Sequence, residues 1–458
     1  MISAVSTPTP APAPAPTPTA APTAGSCPDC GQPLTDDPRF VRWCPACLWN
    51  AHPGATTAKT RGDRFGRRLN RAAELRLYQR ISTAGTLHAV RDGAWLTATV
   101  VAGLVHLVSA AIAGIGVFLL TIDALPSRVV GGLLLLIAFG SRPRLGSMRR
   151  IRKRTLHLTR AQAPTLFALT DRVAAELGTA PLRLICFNGR FNASYQRVGL
   201  RREPVLTLGL PFWELLTPQQ QLALLGHELG HGANGDSSHG IWVGSALNTV
   251  SGWYGVLSPG RWRGGSGGRS SVSGGMAAIG ELIARVLMFV LAELVLLLHL
   301  ALTRATVLGN RRGEYLADSL AARVAGIPAA EDMLKQLTLN TSLTQVLQQR
   351  KFRNGTVLRG ADGKVLPKSA AEPVPDLWTA LRSYADTIPE SERARRLVVS
   401  ALDDSATDST HPPSHLRLDH LRGLPPQTDP VIVPSGEETE AVRGELAGVR
   451  RAVAGRLE

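Results

Sequence analysis

Two histidines four residues apart, His227 and His231, flank an acid in His227-Glu228-Leu229-Gly230-His231. On a helix this spacing puts both imidazoles on one face, where they can share a Zn²⁺ ion. Glu228 is offset from them and can take a proton from water that the ion activates. Such a centre needs a third ligand. The candidate is Glu314, in Asn310-Arg311-Arg312-Gly313-Glu314-Tyr315-Leu316-Ala317-Asp318. A carboxylate from a second helix completes His/His/Glu and leaves the fourth position to water. Asp318, one turn on, shares the face of Glu314 and can hold the other ring nitrogen of a ligand histidine. The competing reading makes Glu314 and Asp318 two solvated acids beside Arg311 and Arg312. His239, just beyond the HExxH helix, is a rival ligand.

A second metal signal lies near the start of the chain. Cys27-Pro28-Asp29-Cys30 and Cys44-Pro45-Ala46-Cys47 are two CxxC pairs joined by a short hairpin. Each pair closes two corners of a tetrahedron, so four thiolates around Zn²⁺ can fold a segment too short to build its own core. The expectation is a zinc ribbon; exposed thiol pairs or disulfides are the alternative. The fifth cysteine, Cys186, follows Leu182, Leu184 and Ile185 and reads as a core thiol.

The elements that must position these residues can be read from periodicity. Thr217 is the expected N-cap and Pro218 the first residue of the helix that carries Leu222, Leu224, Leu225 and the HExxH motif. Residues 161–177, with Leu166, Leu169, Val173 and Leu177 at helical spacing, read as an amphipathic helix. Residues 182–187, 191–197 and 204–208 read as short strands. From Gly93 to Ile122 there is no Asp, Glu, Lys or Arg, which exceeds the ~20 residues a helix needs to cross a bilayer. A shorter run, Val129 to Phe139, spans only if it borrows Ala124–Ser127 and lets Arg128 snorkel. Gly240–Gly260 is a weak span. Glu281–Thr303 is Leu- and Val-rich but holds Glu281, Arg285, Glu293 and His299; its alternative is an interfacial or protein-buried helix.

Composition narrows the class. The chain has 458 residues, 44% hydrophobic, with a net charge of +16. Five cysteines are too few for a disulfide scaffold. Long apolar runs exclude wholesale disorder and argue against a simple soluble globule. The positive charge fits either nucleic acid or anionic lipid. Basic stretches at 59–91 and 142–160 flank the first apolar hairpin, and the positive-inside rule puts both flanks in the cytoplasm. A reducing compartment also suits free thiolates. Residues 1–26 are low in complexity and lack the pattern of a secretory signal peptide.

The order of these motifs resembles the HtpX family of membrane zinc metallopeptidases, relatives of the CAAX prenyl proteases. The resemblance rests on His227 through Asp236, the following apolar hairpin and Arg312 through Asp318. Phe191-Asn192-Ala193-Ser194 resembles the family's edge-strand segment, and Thr410-His411-Pro412-Pro413 with Arg417-Leu418 its C-terminal motif. It covers about residues 90–425; the cysteine segment and Pro/Thr tail are additions. The resemblance implies that His227, His231 and Glu314 bind Zn²⁺ and that Glu228 is general base, then proton donor to the leaving amine. It also implies that Asp318 orients His227 and that Asn192, Ala193 and Ser194, extending to Tyr195, bind substrate backbone by strand addition. His411 is a candidate oxyanion donor; a helix-capping or core histidine is the alternative.

The expected fold is mainly α: membrane helices plus an HExxH zincin, gluzincin-like α+β peptidase domain, with a small N-terminal zinc ribbon. The expected order is a disordered tail (1–26), zinc ribbon (27–50), basic juxtamembrane segment (51–91) and transmembrane hairpin (92–142). The first peptidase part (143–239), an apolar hairpin (240–303), the second peptidase part (304–425) and a C-terminal tail (426–458) follow. The tail is expected as a charged helix with a solvated face, and the insert at 340–400 as weakly patterned. The expected function is a multi-pass cytoplasmic-membrane zinc endopeptidase, active site and ribbon facing the cytoplasm, in membrane-protein quality control or regulated proteolysis. Its partners would be membrane lipids and polypeptide substrates, membrane proteins above all, with nucleic acid disfavoured. The rival is a membrane-tethered ribbon that binds protein or nucleic acid, with the peptidase domain as scaffold.

Overall fold

In the computed structural model the charge-free run becomes helix α1 (Gly93–Thr121) and the shorter apolar run becomes α2 (Leu125–Gly140). The structure describes residues 25–53, 71–72, 74–82, 93–140, 146–199, 201–233, 236–257, 275–355, 376–402, 411–426 and 429–457. The Pro/Thr/Ala tail through residue 24, most of the basic segment 51–91, the loop up to 274, and the side chains of His239 and Glu281 lie outside the described residues.

α1 and α2 meet at glycines: a Cβ on Gly131 would stand 2.8 Å from the Gly116 carbonyl oxygen. α1 also packs on α7 (Asp236–Leu257) and α8 (Gly275–Ala325). Their shared core is built from small and β-branched residues, Ala98, Ala102, Val105, Val243, Ala246 and Val250, with Leu302. Of the polar residues in 240–260, Ser245 and Thr249 are buried, while Asn248 and Ser251 are exposed. Ser245 Oγ lies 3.2 Å from His106 Nε2. The outer faces are apolar and exposed, including Leu104, Leu107, Phe118, Leu136, Phe139, Leu287, Leu294 and Leu297. Among the described residues two helices are long and apolar enough to cross a bilayer, α1 over Trp95–Thr121 and α8 from Arg285 onward; α2 is shorter. α8 is one continuous helix of 51 residues. The change from apolar to charged residues near 303 is therefore not a break, and the apolar run and the Glu314 motif share one rod.

Between these helices lies a mixed layer. After the basic helix α3 (Met148–Arg154) come β1 (Leu156–Leu158), α4 (Pro164–Glu176), β2 (Leu184–Asn188), β3 (Ala193–Val198) and β4 (Glu203–Gly209). The sheet order is β1-β2-β4-β3. β2 and β4 are parallel, and β1 and β3 are antiparallel to their neighbours. A short turn of helix, α5 (Leu210–Trp213), leads to α6 (Pro218–Ala233). Leu166, Phe167 and Val173 of α4 pack with Leu206, Leu208, Leu222 and Leu225 in the main core.

Four helices complete the core: α9 (Ile327–Leu337), α10 (Asn340–Gly355), α11 (Leu377–Asp386) and α12 (Glu390–Leu402). The stretch expected as weakly patterned thus buries Leu343, Leu347, Trp378 and Leu381. After α13 (Ser414–Arg422), the C-terminal stretch forms α14 (Gly436–Leu457). It is not a merely solvated helix. Val442, Leu446, Val449 and Val453 enter the main core, and Glu445 accepts the Thr165 and Leu166 N–H groups at 2.7 and 2.9 Å. That carboxylate satisfies orphan donors at the start of α4.

α6 and α8 approach through small residues. A Cβ on Gly226 would lie 3.0 Å from Ala321 Cα, and one on Gly230 would lie 3.3 Å from Ala317 Cα. This near-contact brings Glu314 within reach of the α6 histidines. Gly226→Ala will therefore lower the unfolding midpoint: overpacking of about 1–3 kcal/mol outweighs the roughly 1 kcal/mol of helix propensity gained. Gly244→Ala, where nothing lies within 4 Å of the added carbon, serves as the control and keeps or raises the midpoint.

Candidate active site

α6 opens with a reciprocal cap. Gln220 N donates to Thr217 Oγ1 at 3.3 Å, and Thr217 N donates to Gln220 Oε1 at 3.0 Å. With that start fixed, His227, Glu228 and Leu229 fall in the buried part of the helix. The His227 and His231 rings sit edge-on with centroids 4.9 Å apart. Glu314, on α8, faces them: its Oε2 is 3.6 Å from His227 Nε2 and its Oε1 is 3.5 Å from His231 Nε2.

These separations suit a shared ion. They exceed the 2.7–3.2 Å of a hydrogen bond. Ligand atoms held tetrahedrally about 2.0–2.1 Å from one centre stand roughly 3.3 Å apart. Oε2 is buried, and its polar neighbours besides His227 are His411 Nδ1 at 2.8 Å and Arg417 Nη2 at 3.6 Å. One ligand atom from each of His227, His231 and Glu314 lies within 4.8 Å of the others, so the three could hold a metal ion.

Behind the histidines, Asp318 Oδ1 lies 3.1 Å from His227 Nδ1. That contact favours the tautomer with the proton on His227 Nδ1, directed at the Asp318 carboxylate, and leaves Nε2 facing Glu314. Arg417, on α13, grips the same carboxylate: Nε donates to Oδ2 at 2.8 Å and Nη2 to Oδ1 at 2.6 Å. Burial alone would weaken the guanidinium's hold on its proton. The adjacent Asp318 carboxylate more than offsets this, and Arg417 titrates above the ordinary arginine range. No spacing rule in the sequence links Arg417, in the C-terminal motif, to Asp318. Its signal was a charged residue between Leu416 and Leu418, both buried.

His411 stands on the open side, with 37% of its side chain exposed and Nδ1 2.8 Å from Glu314 Oε2. The structure thus brings His411 to the Glu314 carboxylate rather than into a helix cap. β3 borders the same site and, among the described residues, pairs on one side only, with β4. The Asn192 carbonyl accepts Gly209 N–H at 2.8 Å, and Asn192 Oδ1 accepts Ala193 N–H at 2.9 Å. Asn192 and Ser194 are exposed and Ala193 is half-buried. Tyr195 leans over the end of α6: a Cβ on Gly232 would come within 2.8 Å of its ring.

The four N-terminal cysteines converge independently. Cys27 and Cys47 sulfurs are 3.5 Å apart, as are those of Cys30 and Cys44; all five cysteines are free thiols. Sulfurs of a tetrahedral Zn–S site at 2.3 Å stand about 3.8 Å apart, so this set too could hold an ion. The Cys47 N–H bonds Cys44 Sγ, and together with the Ala46 N–H and neighbouring thiols it overrides burial and lowers Cys44 to about 7. Cys47 goes the other way. The Trp49 N–H favours its thiolate, but burial and its three cysteine neighbours push it up to about 12. Cys44 is then the thiolate available near neutrality, and zinc uptake by the metal-free protein will slow as pH falls below about 7. Stopped-flow mixing with a zinc indicator between pH 6 and 8 measures this; a flat profile would contradict it.

This cysteine segment is docked rather than free. Arg39 donates to the Thr387 hydroxyl and carbonyl at 2.9 and 2.7 Å, and Arg395 donates to the Ala51 carbonyl at 2.7 Å. Phe40 packs on the main core.

No curated protein and no solved structure matches the chain. The model of peptidase family M48 matches residues 196–424. That stretch is half of the 458 residues, and it contains His227, Glu228, His231, Glu314, Asp318, His411 and Arg417. M48 peptidases use zinc, and the family includes HtpX-like proteases and CAAX-protease relatives. With this match spanning both site helices and the arginine behind them, the chain belongs to peptidase family M48.

Proposed function

We propose that the chain is a membrane-bound zinc endopeptidase in which His227, His231 and Glu314 hold the ion and Glu228 is the general base. The observation that carries this reading is the convergence of three ligand atoms from α6 and α8 within 4.8 Å, with buried Glu228 on the same helix. Zinc bound there would polarise the scissile carbonyl and acidify the attacking water. Glu228 takes that water's proton and returns it to the leaving amine. Asp318 keeps His227 in the tautomer that presents Nε2, and Arg417 keeps Asp318 charged and oriented. The edge of β3 that no described strand covers, running from Asn192, Ala193 and Ser194, adds to an extended substrate chain. His411, half-open beside Glu314, would donate to the oxygen of the scissile carbonyl as charge develops there.

The exposed apolar faces of α1, α2 and α8, and the uniformly basic α3 next to them, support a membrane-embedded enzyme whose site faces the cytoplasm. Its substrates are then polypeptides, membrane proteins above all. The cysteine segment is read as a structural zinc ribbon. Its contacts with α11 and α12 favour a brace over a freely moving adaptor and count against the binding-module reading.

Hydrolysis by detergent-purified protein tests the proposal. An unfolded protein or quenched peptide library should be cleaved, 1,10-phenanthroline should stop cleavage, and added zinc should restore it. Cleavage that is indifferent to the chelator would contradict the proposal.

A further inference from the structure

Glu74 lies in a helical stretch described over residues 74–82, ahead of α1 and outside the family match. An acid so close to a basic segment would ordinarily be solvated. Instead Glu74 is 4% exposed and buried against α8. Its Oε2 pairs with Arg311 Nη1, and its Oε1 accepts the Tyr315 hydroxyl at 3.1 Å. Arg311 and Tyr315 are buried as well, at 8% and 0%. Both flank Glu314, Arg311 three residues before it and Tyr315 immediately after.

The stretch touches both parts of the chain that build the site. Tyr78 lies against Tyr315 with ring centroids 6.1 Å apart. Ile81 shares a small core with Tyr315 and Leu416, the neighbour of Arg417. Ile81 and Leu77 would suffice if covering α8 were the whole task. Burying a carboxylate and a guanidinium is costly unless both are paired and bonded, and an apolar pair of similar size often does as well. What the polar pair adds is direction. Bonds to two side chains one turn apart on the same face of α8 tie that face to one point and so resist rotation of the helix about its own axis. A carboxylate carried about 6 Å from a helix axis moves roughly 0.5 Å for a 5° turn, which is the tolerance of a working site.

We infer that Glu74 is a positioning residue: through Arg311 and Tyr315 it sets the rotation of α8 and thereby the place of Glu314 opposite the two histidines. This rests on the reading of Glu314 as third ligand. A segment that precedes the first apolar helix thus becomes a structural part of the peptidase site.

The test uses full-length protein in detergent and measures zinc affinity at the peptidase site by competition with a chromophoric chelator. Glu74→Gln keeps the shape and loses the charge. Glu74→Asp keeps the charge and shortens the reach. Each should weaken zinc binding about 10- to 100-fold, the usual effect of loosening a group behind a ligand. Leu77→Ala, which removes packing from the same stretch, should lower the unfolding midpoint and leave zinc affinity within about twofold. Glu74→Asp is the milder change, so it keeps the test open if Glu74→Gln fails to fold. A lowered midpoint with unchanged zinc affinity in the Glu74 variants would overturn the inference and leave Glu74 a purely structural residue. If the wild type itself binds no zinc that depends on Glu314, the reading of the site fails first and takes the inference with it.

Discussion

Glu228→Gln is expected to abolish peptide hydrolysis while zinc stays bound. The amide matches the carboxylate in size, and Glu228 is not among the three groups that could hold a metal ion. The glutamine amide cannot accept a proton from water, so a loss of at least ~10²–10⁴-fold in kcat is expected, the usual contribution of a general base. KM should change little, since β3 and its unpaired edge are untouched. Zinc content by atomic absorption, measured beside kcat, separates this outcome from metal loss. Retained activity would remove Glu228 from the mechanism.

Arg417→Ala should be among the most damaging changes away from the ligands. Arg417 is 3% exposed and makes two bonds to Asp318, itself 1% exposed. Removing one partner of a buried pair strands the other charge, at a cost of about 3–5 kcal/mol. Asp318 would then be free to leave His227 Nδ1, so both stability and zinc affinity should fall. Urea unfolding gives the first and chelator competition the second. Arg417→Lys should recover only part of either, because one ammonium cannot reproduce the two-pronged grip. An Arg417→Ala protein with wild-type stability would mean that Asp318 finds another partner.

Much of the site could be read because its signals are local. The spacing of His227 and His231 needs only one helix, and Thr217 and Pro218 announced where that helix starts. The strands expected at 182–187, 191–197 and 204–208 correspond to β2, β3 and β4 within about two residues. What could not be read depends on distant partners. Arg417 meets Asp318 across 99 positions, and Arg311 meets Glu74 across 237; no spacing rule connects them. β1 has three residues, too few to show alternation. In α14 the apolar stripe Val442, Leu446, Val449, Val453 was at helical spacing, but the charges around it drew the reading toward solvent. Near residue 303 the composition changes while helix formation does not. No proline interrupts 275–325, so one rod carries both the apolar run and Glu314.

Zinc stoichiometry is the most direct test of the central claim. Purified full-length protein should hold about two zinc per chain, one of which is lost in Glu314→Ala and the other in Cys27→Ser. That result would place one ion with His227, His231 and Glu314 and one with the four cysteines. A single zinc that disappears with Cys27→Ser and survives Glu314→Ala would contradict the account. It would leave the α6–α8 site without its metal and bring the ribbon-centred binding module forward.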